Sequence, residues 1–290
     1  MKPALMFVAH GVVLAALAVA AGAASKPPPK SSPALAAPAA ADWRTPDPNN
    51  VLVIDTNRGR VLVELSPEVA PKSAAQVRDL AKAGFYDGRA FFRVIDGFMD
   101  QTGDPTDTGG GGSTKPNLPA EFTFKRDATT PLIVVDKEGG RESGFIGAMP
   151  VVSQSLDLAA LTADHKVNAW ATYCPGVVGM ARADDPDSGN SQFFLMRATQ
   201  TNLDQKYTPV GRVIAGMDVV RAIKTGEPVA PPQDKMLTVR ILADLPAAQR
   251  PQVRVIDPRG AWFTAMTARV RAEKLIGLSL CDLDLPSQVK

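Results

Sequence analysis

The sequence predicts a mainly β fold with few helices, on three observations. Short apolar segments alternate with glycine-rich turns, two β-branched runs flank an Asn/Gly turn, and only two stretches among these segments carry helical periodicity with start and stop signals. The hairpin is Val51-Leu52-Val53-Ile54 and Val61-Leu62-Val63-Glu64-Leu65 around Asn57-Arg58-Gly59-Arg60. Pro71 to Ala83 puts Val77, Leu80 and Ala81 on one face, with Pro71 near its start and Gly84 just past its end, which is the punctuation of a helix. Strands follow at Phe91 to Ile95, Val177 to Ala181, Gln192 to Met196 and Pro209 to Ile214. Met217 to Lys224 reads as a second helix ending before Gly226, and Leu237 to Ile241 alternates like an edge strand.

The ends of the chain have a different character. Residues 1–24 combine Lys2, an alanine-heavy apolar run and small residues at Ala21-Gly22-Ala23-Ala24, which reads as a secretory signal peptide. A retained anchor is the alternative, because the run approaches the ~20 residues that span a bilayer. No cysteine follows the run, so a lipoprotein anchor has no support. Residues 25–49 are rich in Pro and Ala and read as a disordered linker. Two segments resist assignment. About 125–175 is far longer than an ordinary connection. In 244–290, Trp262, Met266 and Val270 recur at helical spacing, as in a docked amphipathic helix.

Composition excludes several functions. A net charge of +2 with interspersed acids and bases leaves no electrostatic footprint for nucleic acid. One of the two histidines, His10, lies in the signal, so the mature chain keeps only His165, which excludes His-rich metal sites and argues against a Ser-His-Asp triad. Cys174 and Cys281 are an even pair in a chain with an export signal, which permits a disulfide without requiring one. Two separately buried thiols acting as small apolar residues is the preferred sequence reading. Gly109-Gly110-Gly111-Gly112-Ser113-Thr114-Lys115 has the residues of a phosphate loop in the wrong order and reads as a flexible loop. Asp184 to Asn190 lacks the spacing and closing glutamate of a calcium loop and reads as a solvated turn.

The chemistry is concentrated in two stretches, Phe91-Phe92-Arg93-Val94-Ile95-Asp96-Gly97-Phe98-Met99-Asp100-Gln101 and Ser188-Gly189-Asn190-Ser191-Gln192-Phe193-Phe194-Leu195, which set one arginine and two glutamines among Phe and Met. They resemble the signature of the cyclophilin family of peptidyl-prolyl cis/trans isomerases, as does the closing segment Gly211 to Val220. The resemblance runs over about 51–242. It implies a closed antiparallel β-barrel capped by two helices within a 50–243 isomerase domain, interrupted by the insert at about 125–175.

It also implies that Arg93 and Gln101 are catalytic. Phe98, Met99, Phe194 and Leu203 would form the prolyl pocket, Gln192 and Tyr207 would contribute to substrate binding, and the backbone at Ala181 and Arg182 would grip the substrate chain. Phe92 stands beside the arginine where the family usually has histidine, and Asn202 and Tyr207 stand where many eukaryotic members carry tryptophan and histidine. Met180-Ala181-Arg182 has the look of the bacterial branch.

The expectation is therefore a bacterial, exported isomerase, periplasmic or secreted, acting on Pro-containing polypeptides. No cofactor, no nucleic-acid partner and no membrane span after signal cleavage are expected. The competing classes are a chaperone module that binds Pro-peptides without turnover, and a scaffold working through the insert and tail.

Overall fold

The computed structural model describes residues 35–274 and 277–290; the signal-peptide reading of 1–24 and the first part of the linker lie outside them. Among the described residues the strands are, in chain order, β1 (Trp43–Arg44), β2 (Val51–Thr56), β3 (Gly59–Leu65), β4 (Arg93–Ile95), β5 (Met99–Thr102), β6 (Phe124–Arg126), β7 (Ile133–Glu138), β8 (Arg141–Ile146), β9 (Met149–Gln154), β10 (Val167–Ala171), β11 (Val177–Met180), β12 (Phe193–Met196), β13 (Pro209–Ala215), β14 (Met236–Ile241), β15 (Val253–Ile256) and β16 (Ser287–Val289). The α-helices among the same residues are α1 (Pro71–Lys82), α2 (Met217–Ala222) and α3 (Ala261–Glu273).

The central sheet has eight antiparallel strands in the order β14-β2-β3-β13-β11-β12-β5-β4. Side chains alternate between the faces of a strand, and here both faces are covered. Leu52 and Ile54 of β2 join α1 residues Val77 and Leu80 and α2 residue Val220 in one apolar cluster, while Val51 and Val53 join a second cluster on the opposite face. Two-sided burial is why these strands read as unbroken apolar runs instead of alternating with polar residues.

The sheet is curled, and its ladder runs from β14 to β4 without those two edges pairing. The gap is filled by the connection before β14: Gly226 exchanges backbone bonds with Val94, Val229 N donates to Phe92 O, and Met236 N donates to Arg89 O at 2.9 Å. Helix α1 is capped from a distance. Ala70 at its N-cap offers no side-chain acceptor, and the Glu121 carboxylate instead accepts from the N–H groups of Lys72 and Ser73 at 2.9 and 2.8 Å, where a negative charge suits the helix dipole.

The insert makes a sheet of its own, ordered β6-β10-β9-β8-β7 and antiparallel throughout. Its polar interior is one ion cluster: buried Arg126 meets Glu142 at 2.5 Å and Ser153 at 3.1 Å, and Lys137 supplies a second cation to Glu142 at 2.6 Å. Phe145, Met149, Val151, Ala169 and Tyr173 turn inward to the second apolar cluster, where they meet Val255, Phe263, Met266 and Leu283 from the tail.

From Ala40 onward the linker departs from the disorder expected for it. Ala40–Asp42 forms a 3-10 turn, and β1 pairs with β15, which pairs with β16. The reason is the chemistry of three residues that the Pro/Ala composition obscured. Asp42 accepts from Trp262 N at 3.0 Å at the start of α3, Trp43 packs on the second cluster, and Arg44 forks onto Glu64 of β3 at 2.7 and 2.6 Å. The tail is mixed, with β15 and β16 around α3, and Trp262, Met266 and Val270 fall on that helix.

Cys174 and Cys281 are bonded to each other, in place of the two separate thiols preferred from sequence. Cys174 is fully buried at the end of the insert and Cys281 packs against the same cluster, so packing brings together cysteines separated by 107 positions. A crosslink over that span restricts the unfolded chain strongly. Replacing both cysteines by serine is expected to lower the unfolding free energy by about 3–5 kcal/mol, measured by urea denaturation, and a loss below about 1 kcal/mol would mean that the insert and tail hold together without the bond.

Candidate functional site

Strand β4 delivers Arg93 and strand β5 delivers Gln101 directly opposite it in register. Residues Met99 and Gln101 share one face of β5, and β12 lies alongside with Phe194 opposite Gln101. Arg93, Phe98, Met99, Gln101, Ala181, Arg182, Phe194, Leu203 and Tyr207 line one pocket of about 120 Å³. Nine of the residues expected from sequence to catalyse or bind are therefore brought together. Gln192 lines an adjoining cavity of about 430 Å³ with Gly109 to Gly112, and the two spaces share Gln101, Ala181 and Arg182.

The polar side of the pocket is a one-way chain of hydrogen bonds. The Gln192 amide donates to Gly109 O and Gly111 O at 3.0 and 2.8 Å. Its oxygen accepts from Gln101 Nε2 at 3.0 Å, and Gln101 Oε1 accepts from an Arg93 terminal nitrogen at 3.3 Å. Because both glycine carbonyls can only accept, the orientation of each amide along the chain is fixed. The guanidinium carbon sits 6.0 Å from the centre of the Phe98 ring, and Arg93 Nε donates to Glu227 Oε1 at 2.6 Å.

The Gly109–Gly112 loop has its own anchor. The Asp104 carboxylate accepts from the N–H groups of Thr106, Thr108, Gly109 and Gly111 at 2.7, 3.1, 2.5 and 3.2 Å. Burial raises the Asp104 pKa, but these bonds more than compensate and leave it below the usual carboxylate range. The N–H groups of Gly109 and Gly111 are thus turned onto Asp104. Gly109 has a φ of +91°, and a Cβ there would come within 3.3 Å of the Phe92 ring, so the phenylalanine at the family's histidine position packs beneath the loop.

The apolar side is held from behind. Phe194 stacks on Tyr173 at 6.0 Å between centroids and meets Tyr207 edge-on at 5.8 Å. Gly179 of β11 leaves room for this pair, since a Cβ would strike both Phe194 and the Tyr173 hydroxyl. Burial, followed by the neighbouring Asp204 and Tyr207, pushes the Tyr173 phenol well above its ordinary pKa, so it serves as a neutral wall.

Arg182 roofs the pocket between Tyr207 (4.7 Å) and Phe122 (5.6 Å), with its guanidinium donating to the carbonyls of Lys206, Ala183 and Asp184. The Ala181 N–H donates to Gln192 O at 2.9 Å, so that half of the backbone expected to grip substrate is engaged within the sheet. Sequence reasoning missed Phe122, Tyr173 and Glu227. They lie far from the two signature segments along the chain, and only the short Thr225-Gly226-Glu227-Pro228 stretch, rich in turn residues, marked any of them as local punctuation.

On the opposite face of β5, Asp100 is fully buried. Arg197 Nε lies 3.5 Å from its carboxylate, yet neither carboxylate oxygen has a hydrogen-bond partner. Burial pushes the Asp100 carboxyl up to about 7, against the pull of Arg197 and with a further push from Asp96. Among the described residues no group of three or more His, Cys, Asp or Glu side chains is placed to hold a metal, and no helix is long and apolar enough to cross a membrane.

Comparison with known proteins gives a consistent picture. Residues 51–243, well over half of the chain, match the family described as cyclophilin type peptidyl-prolyl cis-trans isomerase/CLD. A probable peptidyl-prolyl cis-trans isomerase of Brucella suis is 36% identical over 191 residues, covering 62% of this chain and 74% of the relative. Peptidyl-prolyl cis-trans isomerase 10 of Caenorhabditis elegans is 32% identical over 174 residues, covering 60% and 81%. The crystal structure of a cyclophilin from Hirschia baltica superimposes with a TM-score of 0.78 at 36% identity, over 85% of this chain and 93% of that one.

The Asp100 carboxyl yields a pH test. Its pKa in the folded protein is about 7, and its unfolded value is about 3.9, so the folded state binds more protons between those values. Asp100 thus contributes stability that is complete below about pH 4 and is lost as the pH rises through about 7. Urea denaturation of wild type and Asp100→Asn across this window is expected to show the variant gaining relative stability as pH rises; parallel curves would mean that Asp100 ionises normally.

Proposed function

The chain belongs to the cyclophilin-type peptidyl-prolyl cis-trans isomerases and is an enzyme of that class acting on Pro-containing peptides; from this premise we propose that Arg93 is the group that accelerates X-Pro rotation. The observation that carries the proposal is the placement of a guanidinium donor, oriented by Gln101, beside a pocket walled by Phe98, Met99, Phe194 and Leu203.

Rotation about a peptide bond is opposed by resonance that delocalises the nitrogen lone pair, with a barrier of ~18–20 kcal/mol. In the twisted amide the lone pair returns to the prolyl nitrogen, which becomes a hydrogen-bond acceptor. A donor fixed beside the bond interacts better with the twisted form than with the planar one, and that difference lowers the barrier. No covalent bond breaks and no proton has to leave the enzyme. Phe98, Met99, Phe194 and Leu203 hold the pyrrolidine ring and exclude water that would screen the guanidinium. Gln101 and Gln192 keep Arg93 aligned, while Tyr207 and Arg182 bound the path of the substrate chain.

The same reading takes the curled sheet as a barrel whose seam is sealed by residues 226–236, and the 50–243 segment as the catalytic domain carrying the insert. It places the enzyme outside the bacterial cytoplasm, in the periplasm or beyond, where it acts on exported proteins. Two features support that location: the signal-like composition of residues 1–24 and the Cys174–Cys281 disulfide, a bond that persists in oxidising compartments. Cell fractionation tests it, and recovery of the protein wholly in the cytoplasm would remove it. A module that binds Pro-peptides without turnover would need no oriented donor, so the chain from Gly109 and Gly111 to Arg93 favours catalysis.

Arg93→Ala is expected to fold normally and to lose isomerase activity by on the order of 10²–10³, the scale of removing one preorganised donor. A protease-coupled assay on a Pro-containing peptide measures this, and wild-type turnover by the folded variant would sink the assignment.

A further inference from the structure

Arg93 is held from a side that the reaction itself does not require. The connection between α2 and β14 lies along the free edge of β4, where Gly226 and Val94 exchange both backbone bonds at 2.8 Å and Val229 N donates to Phe92 O at 2.8 Å. Further along, Asp234 accepts from Lys224 N at 2.7 Å and from Arg58 Nε at 2.9 Å. Backbone bonds thus fix the chain on both sides of Glu227. Its Oε1 accepts from Arg93 Nε at 2.6 Å, a shorter contact than the 3.3 Å bond from the arginine to Gln101.

We propose that Glu227 is a positioning residue that, acting through Nε of Arg93, holds the guanidinium against the prolyl pocket so that its terminal N–H groups face the twisting amide. The proposal rests on the reading of Arg93 as the donor. An arginine side chain has many rotamers, and its planar fork aligns only when anchored. Gln101 supplies one long neutral contact, whereas Glu227 supplies a short, charge-assisted one at the other end of the same plane. Two anchors on different nitrogens define the direction of a plane that one anchor leaves free to swing.

The pair is partly solvated, with the side chains of Arg93 and Glu227 35% and 56% exposed, so it adds little to stability. Its effect should appear in turnover. The apolar walls bind the proline ring whether or not the guanidinium is aligned, and misalignment reduces the fraction of bound complexes that can react.

The test compares full-length wild type, Arg93→Ala, Glu227→Ala and Glu227→Gln by kcat and KM for a Pro-containing peptide and by NMR exchange of the Arg93 Nε–H with solvent. Glu227→Ala is expected to lower kcat about 3–10-fold with KM changed by less than about twofold, the signature of lost alignment without lost binding. Its Arg93 Nε–H should exchange faster. Glu227→Gln keeps an acceptor at the same place, so it should recover most of the lost rate and the slow exchange, and both variants should keep the wild-type denaturation midpoint.

Wild-type kcat in Glu227→Ala, a lower kcat with unchanged Nε–H exchange, or a Glu227→Gln variant as impaired as the alanine would each overturn the proposal. Failure of the underlying reading looks different. If Arg93→Ala stayed active, Arg93 would not be the donor, whatever Glu227 does, while the Nε–H exchange would still report whether Glu227 holds the guanidinium.

Discussion

Burial of both faces of the eight-stranded sheet is the constraint from which the rest of the structure follows. A strand such as β2 sends Leu52 and Ile54 toward the helices and Val51 and Val53 toward the insert and tail. Neither set can be left in water, so the second face needs a cover of its own. The insert contributes Phe145, Met149 and Tyr173, the tail contributes Val255, Phe263 and Leu283, and one disulfide joins them. Even the short segment before β2 is drawn in, because Asp42 binds the Trp262 N–H of the tail and Arg44 binds Glu64 of the sheet itself.

The pocket lies on that covered face, and this links the additions to the chemistry. Tyr173, the residue before the bonded Cys174, backs Phe194; Phe122, just ahead of the insert, roofs Arg182. The polar half of the site comes instead from the signature strands and from backbone carbonyls of a glycine loop pinned by Asp104. Rigid apolar walls and a directed polar chain are distinct requirements, and different parts of the chain meet them. Asp100, the buried carboxyl whose pKa is raised, lies on the other face of the strand that carries Met99 and Gln101.

Much of the site was legible because it is local in sequence. Arg93, Phe98, Met99 and Gln101 lie within one hairpin, and Gln192 immediately precedes the neighbouring strand that carries Phe194, so spacing along the chain is nearly spacing in space. Hydrophobic pattern and turn residues likewise located β2, β3, α1, β13 and β14. The five-stranded organisation of the insert was not legible. Its strands pack around the buried Arg126–Glu142 pair and through apolar residues that look unremarkable until the second face of the sheet is known.

By itself the sequence singled out the residues proposed for the chemistry: an arginine and two glutamines set among aromatics. Tertiary structure decided what those residues are joined to. The pairing of Cys174 with Cys281, the reach of Glu121 to the start of α1, the order within 40–50 and the contact of Glu227 with Arg93 all link positions far apart in the chain. Each depends on distances that packing sets once both faces of the sheet are buried, and neither composition nor periodicity along a single strand encodes such distances.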